Sequence, residues 1–363
     1  MKQLNDSAIA EVAARRIALL GNPNSGKTTI FNALTGLRHK VANFPGVTVE
    51  RREGKMRGAG SVILCDLPGC YSLTPQSLDE QLVRDALLGW ASGVDRPDGV
   101  IIVVDASNLE RNLYLASQVL DLNLPTIVVC NMMDIVRKRG DRIDLARLSR
   151  KLGVPVVGTV GTTREGIDAL RTAIVSSMDQ AALSRPWRGS ERFETAVADV
   201  GEWARSRDLV NGSADAVALL LLSPSVLNDS EWGTAVFEDD TRRELAALHQ
   251  KHNGNGQGAL SVEAVEMRYR WLGEVVEGVL DKAEKTGKTT TDRIDEIVTH
   301  RVWGLLSFSA VMGLMFLAIF SWAAPIMDGI DGAISLLGTG VAHLLGEGML
   351  TDRVVDGVMA GDG

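Results

Sequence analysis

The feature that most constrains the fold is the segment GNPNSGKT at residues 21–28, which fits the pattern G-x-x-x-x-G-K-[ST]. It follows an apolar run at residues 17–20 and opens a helical pattern at residues 28–34. In that context glycines let backbone N–H groups turn toward phosphate oxygens, and the helix adds the positive end of its dipole. The pattern therefore predicts a strand, a phosphate-binding loop (P-loop) and a helix in succession.

Residues 16–170 alternate short apolar runs with helical patterns. The runs are rich in β-branched residues and lie at 17–20, 62–65, 100–104, 127–130 and 155–157. Strands buried on both faces of a parallel sheet have this composition, so the alternation predicts a three-layer α/β domain with a mostly parallel sheet. The stretch 47–56 alternates differently and predicts an antiparallel edge strand.

Two further elements end apolar runs. Residues 66–69 read Asp-Leu-Pro-Gly, a D-x-x-G element, in which the aspartate lies near Mg²⁺ and the glycine N–H meets the γ-phosphate. Residues 131–134 read Asn-Met-Met-Asp, an N-x-x-D element, in which the aspartate accepts two hydrogen bonds from guanine. Adenine lacks that pair of donors and would leave the carboxylate unpaired, so the site is predicted to prefer GTP to ATP.

Each motif residue has a predicted role. Lys27 neutralises the β- and γ-phosphates, while Thr28 and Asp66 hold Mg²⁺. Thr48 either completes the Mg²⁺ shell, as a switch I threonine does, or is an ordinary strand residue. The last recognition loop is expected near Gly161 and Thr162, although its sequence departs from the usual Ser-Ala pair. The predicted catalytic residues are Asn24, Lys27, Thr48 and Gly69. The predicted nucleotide-binding residues are Gly21, Asn22, Pro23, Asn24, Ser25, Gly26, Lys27, Thr28, Thr29, Gly46, Val47, Thr48, Val49, Glu50, Asp66, Leu67, Pro68, Gly69, Asn131, Met132, Asp134, Gly161 and Thr162.

The second half of the chain has a different pattern. Residues 171–290 lose the strand signal, and helical periodicity predicts a small all-α domain with helices at 192–206, 214–222, 239–252 and 262–285. Residues 302–327 contain no charged side chain, and a helix of that length crosses a bilayer. We therefore expect an α/β P-loop GTPase domain at 1–170, the helical domain at 171–290, and a linker with the beginning of a transmembrane region at 291–363. A second apolar stretch at 332–345 is compatible with an interfacial, re-entrant or spanning segment.

Charge and composition restrict the partners. Arg293, His300 and Arg301 precede the apolar segment while Asp328 and Asp331 follow it, which predicts that residues 1–301 are cytoplasmic. A formal net charge of −8 argues against nucleic acid as a partner. The three cysteines show no paired spacing and are expected to be reduced thiols. His249 and His252 lie three residues apart on a predicted helix. They either share a metal ion or belong to a solvent-exposed face of that helix.

The motifs in this order resemble the translation-factor-like small GTPases and, more particularly, the bacterial ferrous iron transporter B family. The resemblance rests on GNPNSGKTT at 21–29, VANFPGVTVERREG at 41–54, DLPGCYSL at 66–73, NMMD at 131–134, EMRYRWL at 266–272 and DRIDEIVTHRVWGL at 292–305. It implies that residues 171–290 form a spacer that inhibits nucleotide dissociation and that a membrane part carries Fe²⁺. It also implies a multi-pass protein of the bacterial inner membrane whose membrane region is longer than the one in this chain. Homo-oligomers and small accessory proteins are further expected partners.

Hydrolysis is expected to be slow. The position after D-x-x-G, where Ras-like proteins place a water-orienting glutamine, holds Cys70, and a thiol orients water poorly. Another positive charge is then needed beside the phosphates. Asn24 either supplies an amide oxygen to K⁺, as the resembled family implies, or caps a turn. The competing function is an Era-like soluble GTPase of ribosome assembly or tRNA modification, which predicts a basic RNA-binding appendage instead of a membrane segment.

Overall fold

The computed structural model describes residues 14–36, 40–44, 49–59, 61–91, 93–177, 185–223, 239–253, 258–283, 294 and 297–345. The chain divides into two compact units, residues 1–283 and residues 284–363.

Strands of the first unit form two sheets. The strands are β1 (Arg15–Gly21), β2 (Lys40–Asn43), β3 (Glu50–Lys55), β4 (Val62–Asp66), β5 (Gly99–Asp105), β6 (Thr126–Asn131), β7 (Arg142–Ile143), β8 (Val156–Gly158) and β9 (Leu280–Asp281). Within the described residues the larger sheet has the order β2-β3-β4-β1-β5-β6-β8, and the smaller one pairs β7 with β9. Pairing is parallel from β4 to β8, whereas β3 runs antiparallel to both β2 and β4.

Helices follow the strands in the expected alternation. The helices of this unit are α1 (Lys27–Thr35), α2 (Leu78–Leu88), α3 (Leu109–Asp121), α4 (Met133–Lys138), α5 (Leu145–Leu152), α6 (Ile167–Ser177), α7 (Glu191–Ser206), α8 (Ala214–Leu221), α9 (Asp239–Asn253) and α10 (Ala259–Glu277). The predicted α/β class with a mostly parallel sheet is confirmed.

The side-chain alternation of the strands places helices on both faces of the sheet. Ile17 and Leu19 of β1 join the core cluster that contains α1 and α6, whereas Ala18 and Leu20 join the cluster that contains α2, α3 and α5. Because successive strand residues point to opposite faces, runs that are apolar throughout are buried on both sides. These two layers of helices and the sheet between them are the three predicted layers.

The helical region from residue 185 onward does not have a separate core. Its apolar side chains, including Phe193, Val197, Leu221 and Leu272, belong to the same cluster as the α3 face of the sheet. Helix α10 lies against α3 and α5, and β9 completes a strand pair with β7. The predicted domain boundaries at residues 170 and 290 stay predictions; α6 runs from Ile167 to Ser177, across the first of them.

Two expectations about elements of this unit are wrong. The predicted helix at 262–285 ends at Glu277, because Gly278 follows and Leu280 pairs with Ile143 as a strand. The predicted edge strand at 47–56 appears as β3, which is antiparallel but internal, since β2 pairs along its outer side. Strand β2 has only four residues, KVAN, and offers no alternating pattern from which to predict it.

Among its described residues, the second unit contains one long apolar helix, α11 (Trp303–Leu345), 43 residues in length. Its stretch Trp303–Leu337 is long and apolar enough to cross a membrane by length and composition, and none of its most apolar window is buried. Asp328 and Asp331 lie inside this helix rather than after it, and the helix also passes through Pro325. The stretch 332–345, treated as separate in the sequence, continues the same helix.

Candidate nucleotide-binding site

The P-loop turns where β1 ends and α1 begins. Asn22 and Ser25 are buried, and the Ser25 N–H donates to the Asn22 carbonyl over 3.2 Å. Helix α1 begins at Lys27 with no acidic residue in its first turn, so its free N–H groups and dipole favour an anion. Thr28 and Thr29 are exposed at this end of the helix.

The loop backbone adopts two left-handed positions, Asn24 with φ 65° and Gly26 with φ 86°. Left-handed residues beside right-handed ones turn successive N–H groups to one side, which creates an anion-binding concavity. A Cβ atom on Gly26 would lie 2.2 Å from Asn131 Nδ2, and one on Gly21 would lie 2.3 Å from the Val103 carbonyl oxygen. Both glycines are therefore required by close packing, and the loop geometry fits a phosphate chain.

The predicted phosphate and magnesium ligands lie next to each other. Lys27 Nζ donates to Asp66 Oδ1 over 2.5 Å, and both side chains are largely buried. An ammonium group that can neutralise phosphate and a carboxylate that can hold a divalent cation thus meet at the mouth of the P-loop. With the exposed Thr28 hydroxyl, the donor set is oxygen-rich, as Mg²⁺ prefers.

The D-x-x-G loop packs directly on the P-loop. The Leu67 N–H donates to the Leu19 carbonyl and the Cys70 N–H donates to the Gly21 carbonyl, over 3.0 and 3.3 Å. A Cβ atom on Gly69 would lie 3.3 Å from the Pro23 backbone. The two loops are therefore in direct backbone contact at the end of β1.

Asn131 connects three loops. Its Nδ2 donates to the Ser25 carbonyl of the P-loop over 2.9 Å. Its Oδ1 accepts from Thr159 Oγ1 over 3.1 Å and from the Gly161 N–H over 3.0 Å. Because the buried Asn131 side chain bonds to both the P-loop and the loop of Thr159 and Gly161, it ties these loops together.

Met132 and Asp134, the residues predicted to contact the base, lie beside Asn131 at the start of α4. Met132 has a left-handed backbone, φ 63°, and lies directly before α4, whose first turn contains Asp134. The Asp134 side chain is 38% exposed, and Lys138 Nζ approaches its Oδ2 over 3.4 Å. Asp134 is thus accessible to a ligand. Thr162 is exposed beside the buried Gly161, whose N–H donates to Asn131; the role of this loop in recognition stays a prediction.

Not every predicted residue can be placed. Gly46, Val47 and Thr48 lie outside the described residues. Of their neighbours, Val49 accepts from the Phe44 N–H over 2.9 Å and Glu50 begins β3 with an exposed side chain.

Sequence analysis missed one site residue, Thr159. Its hydroxyl supports the Asn131 carboxamide, and its carbonyl accepts from the Met133 N–H over 3.2 Å. A polar residue shortly after the apolar run at residues 155–157, where β8 ends, was the available signal.

The three cysteines offer no nucleophile. Cys65, Cys70 and Cys130 are buried, and burial raises the pKa of Cys65 and of Cys130 to about 12 and that of Cys70 as well. A buried thiol with a raised pKa stays protonated at neutral pH. Cys70 therefore takes no part in orienting water through a thiolate.

The histidine pair does not form a solvated face, because both rings are buried, and the two rings bind separate partners. His249 Nε2 lies 2.7 Å from the Leu221 carbonyl oxygen and His252 Nε2 lies 2.9 Å from Asp199 Oδ2. No group of three or more His, Cys, Asp or Glu residues suited to a metal ion occurs within the part of the chain that the structure describes.

Comparisons with known proteins agree with this site. Residues 15–174 match the family described as Ferrous iron transport protein B. The Fe(2+) transport protein A/Fe(2+) transporter FeoB fusion protein of Porphyromonas gingivalis is 37% identical over 362 residues, which are 96% of this chain and 42% of the relative. The Fe(2+) transporter FeoB of Escherichia coli is 37% identical over 342 residues, 90% of this chain and 41% of the relative. The chain thus spans about two fifths of the length of these curated relatives.

Solved structures give the same result for the first unit. The cytosolic domain of L. pneumophila FeoB is 32% identical, with a TM-score of 0.63 over 74% of this chain and 100% of that chain. A variant of S. thermophilus NFeoB bound to GDP is 31% identical, with a TM-score of 0.62 over 74% of this chain and 100% of that chain. Sequence and fold lead to one conclusion: the chain belongs to the ferrous iron transport protein B family.

Proposed function

We propose that residues 1–283 bind GTP and hydrolyse it to GDP and phosphate. The observation that carries this proposal is the Asn131 side chain, which joins the P-loop to both guanine-recognition loops beside the Lys27–Asp66 pair. Phosphate-binding and base-reading groups are thereby held in one site. The S. thermophilus relative bound to GDP supports a guanine nucleotide as the ligand.

Each residue has a task in this reaction. Lys27 balances the charge of the β- and γ-phosphates, and the Gly69 N–H donates to the γ-phosphate. Thr28, Thr48 and Asp66 hold Mg²⁺, which when bound neutralises negative charge on the phosphates. Asp134 accepts from guanine, and Met132, whose Cε lies near Gly26, covers one side of the base pocket.

A monovalent cation supplies the remaining charge in this proposal. Cys70 is buried and provides no water-orienting amide, so turnover is slow without further help. The Asn24 backbone is left-handed, and this residue lies exposed at the tip of the loop. Its amide oxygen is therefore available to hold K⁺ beside the phosphates. Hydrolysis is then stimulated by K⁺.

The whole protein is proposed to be a ferrous iron transporter of the bacterial inner membrane, as the names of its relatives indicate. Helix α11 spans the membrane, residues 1–301 are cytoplasmic, and the GTP cycle regulates or drives Fe²⁺ uptake. Further spans, homo-oligomers and accessory proteins belong to this proposal. The matched relatives do not support the Era-like alternative, and the long exposed apolar helix does not fit a soluble protein.

Competition with a fluorescent guanine nucleotide tests the nucleotide proposal on the full chain in detergent. GTP and GDP should displace the probe and ATP should not, because adenine does not satisfy the Asp134 carboxylate. Equal displacement by ATP and GTP would contradict the guanine assignment.

Fe²⁺ uptake by cells that carry the complete gene, with and without Asp134→Ala, tests the link to transport. Undiminished uptake by the variant would contradict that link.

A further inference from the structure

Helix α3 carries contacts to two different parts of the molecule. Its Gln118 binds the segment 71–76 that follows Gly69, and its Ser117 and Asp121 bind helix α10 of the spacer. Residues three and four apart on a helix share one face, so these positions form one stripe. The loop that meets the γ-phosphate and the spacer helix are thus attached to the same side of α3.

Arg268 makes the spacer attachment. Its Nη2 donates to Asp121 Oδ2 over 2.7 Å and its Nη1 donates to Ser117 Oγ over 3.0 Å. The guanidinium carbon lies 4.7 Å from the centre of the Trp187 ring and 5.9 Å from that of the Tyr114 ring. Burial raises the pKa of Asp121, and the Arg268 charge opposes this shift. Both charges are buried, so removing one partner strongly destabilises the other.

Gln118 makes the second attachment. Its Oε1 accepts from the buried Leu73 N–H over 2.8 Å, four residues after Gly69. Arg111, also on α3, places its guanidinium carbon 5.2 Å from the centre of the Tyr71 ring. Glu80 of α2 accepts from the N–H groups of Tyr71 and Gln76. These directed bonds hold the backbone of the segment, and the buried Leu73 side chain anchors it in the core.

A groove of about 580 Å³ lies beside both attachments and is bordered by Leu73, Gln118, Asp121, Arg268 and Tyr269. Tyr71 and Gln76 of segment 71–76 are exposed, whereas the Leu73 side chain between them is buried in the core. The backbone of the segment is held in addition by the hydrogen bonds that Gln118 and Glu80 accept.

We propose that Arg268 is a positioning residue for the D-x-x-G loop. Its bonds to Asp121 and Ser117 fix the end of α3 that presents Gln118 to Leu73, and this fixes the loop that carries Gly69. Through the same route the position of the spacer regulates GTP hydrolysis, a consequence that rests on the proposed function. The structural part of the coupling does not depend on nucleotide chemistry.

Amide hydrogen exchange of the full chain in detergent tests the structural part. Arg268→Met should speed exchange at Tyr71 and Leu73 by about 2- to 30-fold, the usual range of coupling between distant groups. The matched control is Lys151→Met, because Lys151 Nζ donates to the Glu274 carbonyl and so attaches the other end of α10 to α5. Lys151→Met should leave those amides unchanged. Equal exchange in both variants, or no change in Arg268→Met, would overturn the proposal.

A double-mutant cycle tests the route. Arg268→Met and Gln118→Leu should have non-additive effects on exchange and on kcat, while Lys151→Met and Gln118→Leu should be additive. Additive effects of Arg268→Met and Gln118→Leu would mean that Gln118 does not couple Arg268 to the loop, and would overturn the proposal.

A second variant covers the case in which Arg268→Met fails to fold. The double variant Arg268→Met with Asp121→Leu removes the ion pair without leaving a buried charge, and the same exchange result is expected. Absence of GTP hydrolysis in the unmodified chain would contradict the proposed function while leaving the exchange test intact.

Discussion

The phosphate end and the base end of the site are built in different ways. At the phosphate end, the groups that are expected to meet the ligand, Lys27 and Asp66, are themselves largely buried and paired. At the base end, the buried side chain is Asn131, which holds the loops, whereas the expected reader of the base, Asp134, is half-exposed beside Lys138. At the phosphate end, the same buried pair is thus expected both to stabilise the site and to contact the ligand. At the base end, Asn131 stabilises the loops and Asp134 is expected to contact the ligand.

Because of this difference in burial, substitutions in the buried pair at the phosphate end should lower both stability and affinity, whereas substitution of Asp134 should change selectivity. A buried charge that loses its partner destabilises the protein as well as the complex. An exposed carboxylate that is removed leaves the fold almost unchanged, because solvent screens its remaining interactions. The following predictions test this contrast in order of decreasing effect.

Lys27→Met should have the largest effect. It removes a charge-assisted contact to phosphate, so GTP affinity should fall by about 10- to 100-fold. It also leaves the buried Asp66 carboxylate unpaired, so the thermal midpoint of the first unit should fall too. Isothermal calorimetry and differential scanning fluorimetry measure the two effects; Lys27→Met with an unchanged midpoint would contradict the buried pairing.

Asn131→Leu and Asp134→Ala should separate the stability of the loops from the selectivity for guanine. Asn131→Leu removes the bonds to Ser25, Thr159 and Gly161, so affinity should fall for GTP and GDP and the thermal midpoint should drop. Asp134→Ala should keep the midpoint and lose the preference for guanine over adenine. The measurement is competition by GTP and ATP in each variant beside its melting curve. A variant Asn131→Leu that loses selectivity alone would show that Asn131 reads the base.

Asn24→Ala tests the phosphate end without touching a buried charge. The GTPase rate of the unmodified chain should be higher in KCl than in NaCl at equal ionic strength, and the variant should lose this difference. GDP affinity should change little, since the Asn24 side chain is expected to act on the triphosphate state. If K⁺ still stimulates the variant, the cation is bound by oxygen atoms other than that of the Asn24 side chain.

Lys138→Met should have the smallest effect. Its contact with Asp134 is exposed, and such pairs contribute about 0–1 kcal/mol. We expect GTP affinity within about twofold of the unmodified chain, with selectivity retained. A larger loss, measured in the same competition assay, would mean that Lys138 positions the Asp134 carboxylate.

The membrane segment offers a test of orientation. Protease added outside sealed right-side-out vesicles should leave residues 1–283 intact, because Arg293, His300 and Arg301 precede the apolar helix on the cytoplasmic side. Digestion of that unit under these conditions would reverse the proposed topology.

Most of the fold and of the phosphate site could be predicted because their signals are local. Runs such as residues 100–104 are apolar throughout, which identifies strands with two buried faces, and the P-loop pattern fixes a strand, a loop and a helix in order. Strand β2 was missed because four residues carry no periodicity. The end of α11 was misplaced because Asp328 and Asp331 end an apolar pattern without ending a helix, whose backbone hydrogen bonds do not depend on side-chain charge.

The sequence by itself determined the motif order, the fold class, the expected preference for guanine and the apolar segment long enough to span a membrane. The tertiary structure decided that the Asn131 side chain bonds to Ser25, Thr159 and Gly161, that His249 and His252 are buried, and that Arg268 bonds to Ser117 and Asp121 of α3. Asn131 lies 106 residues from Ser25, and Arg268 lies 147 residues from Asp121. Periodicity and short motifs specify local backbone and burial, whereas partners so distant in the chain are chosen only when the packed elements bring them together.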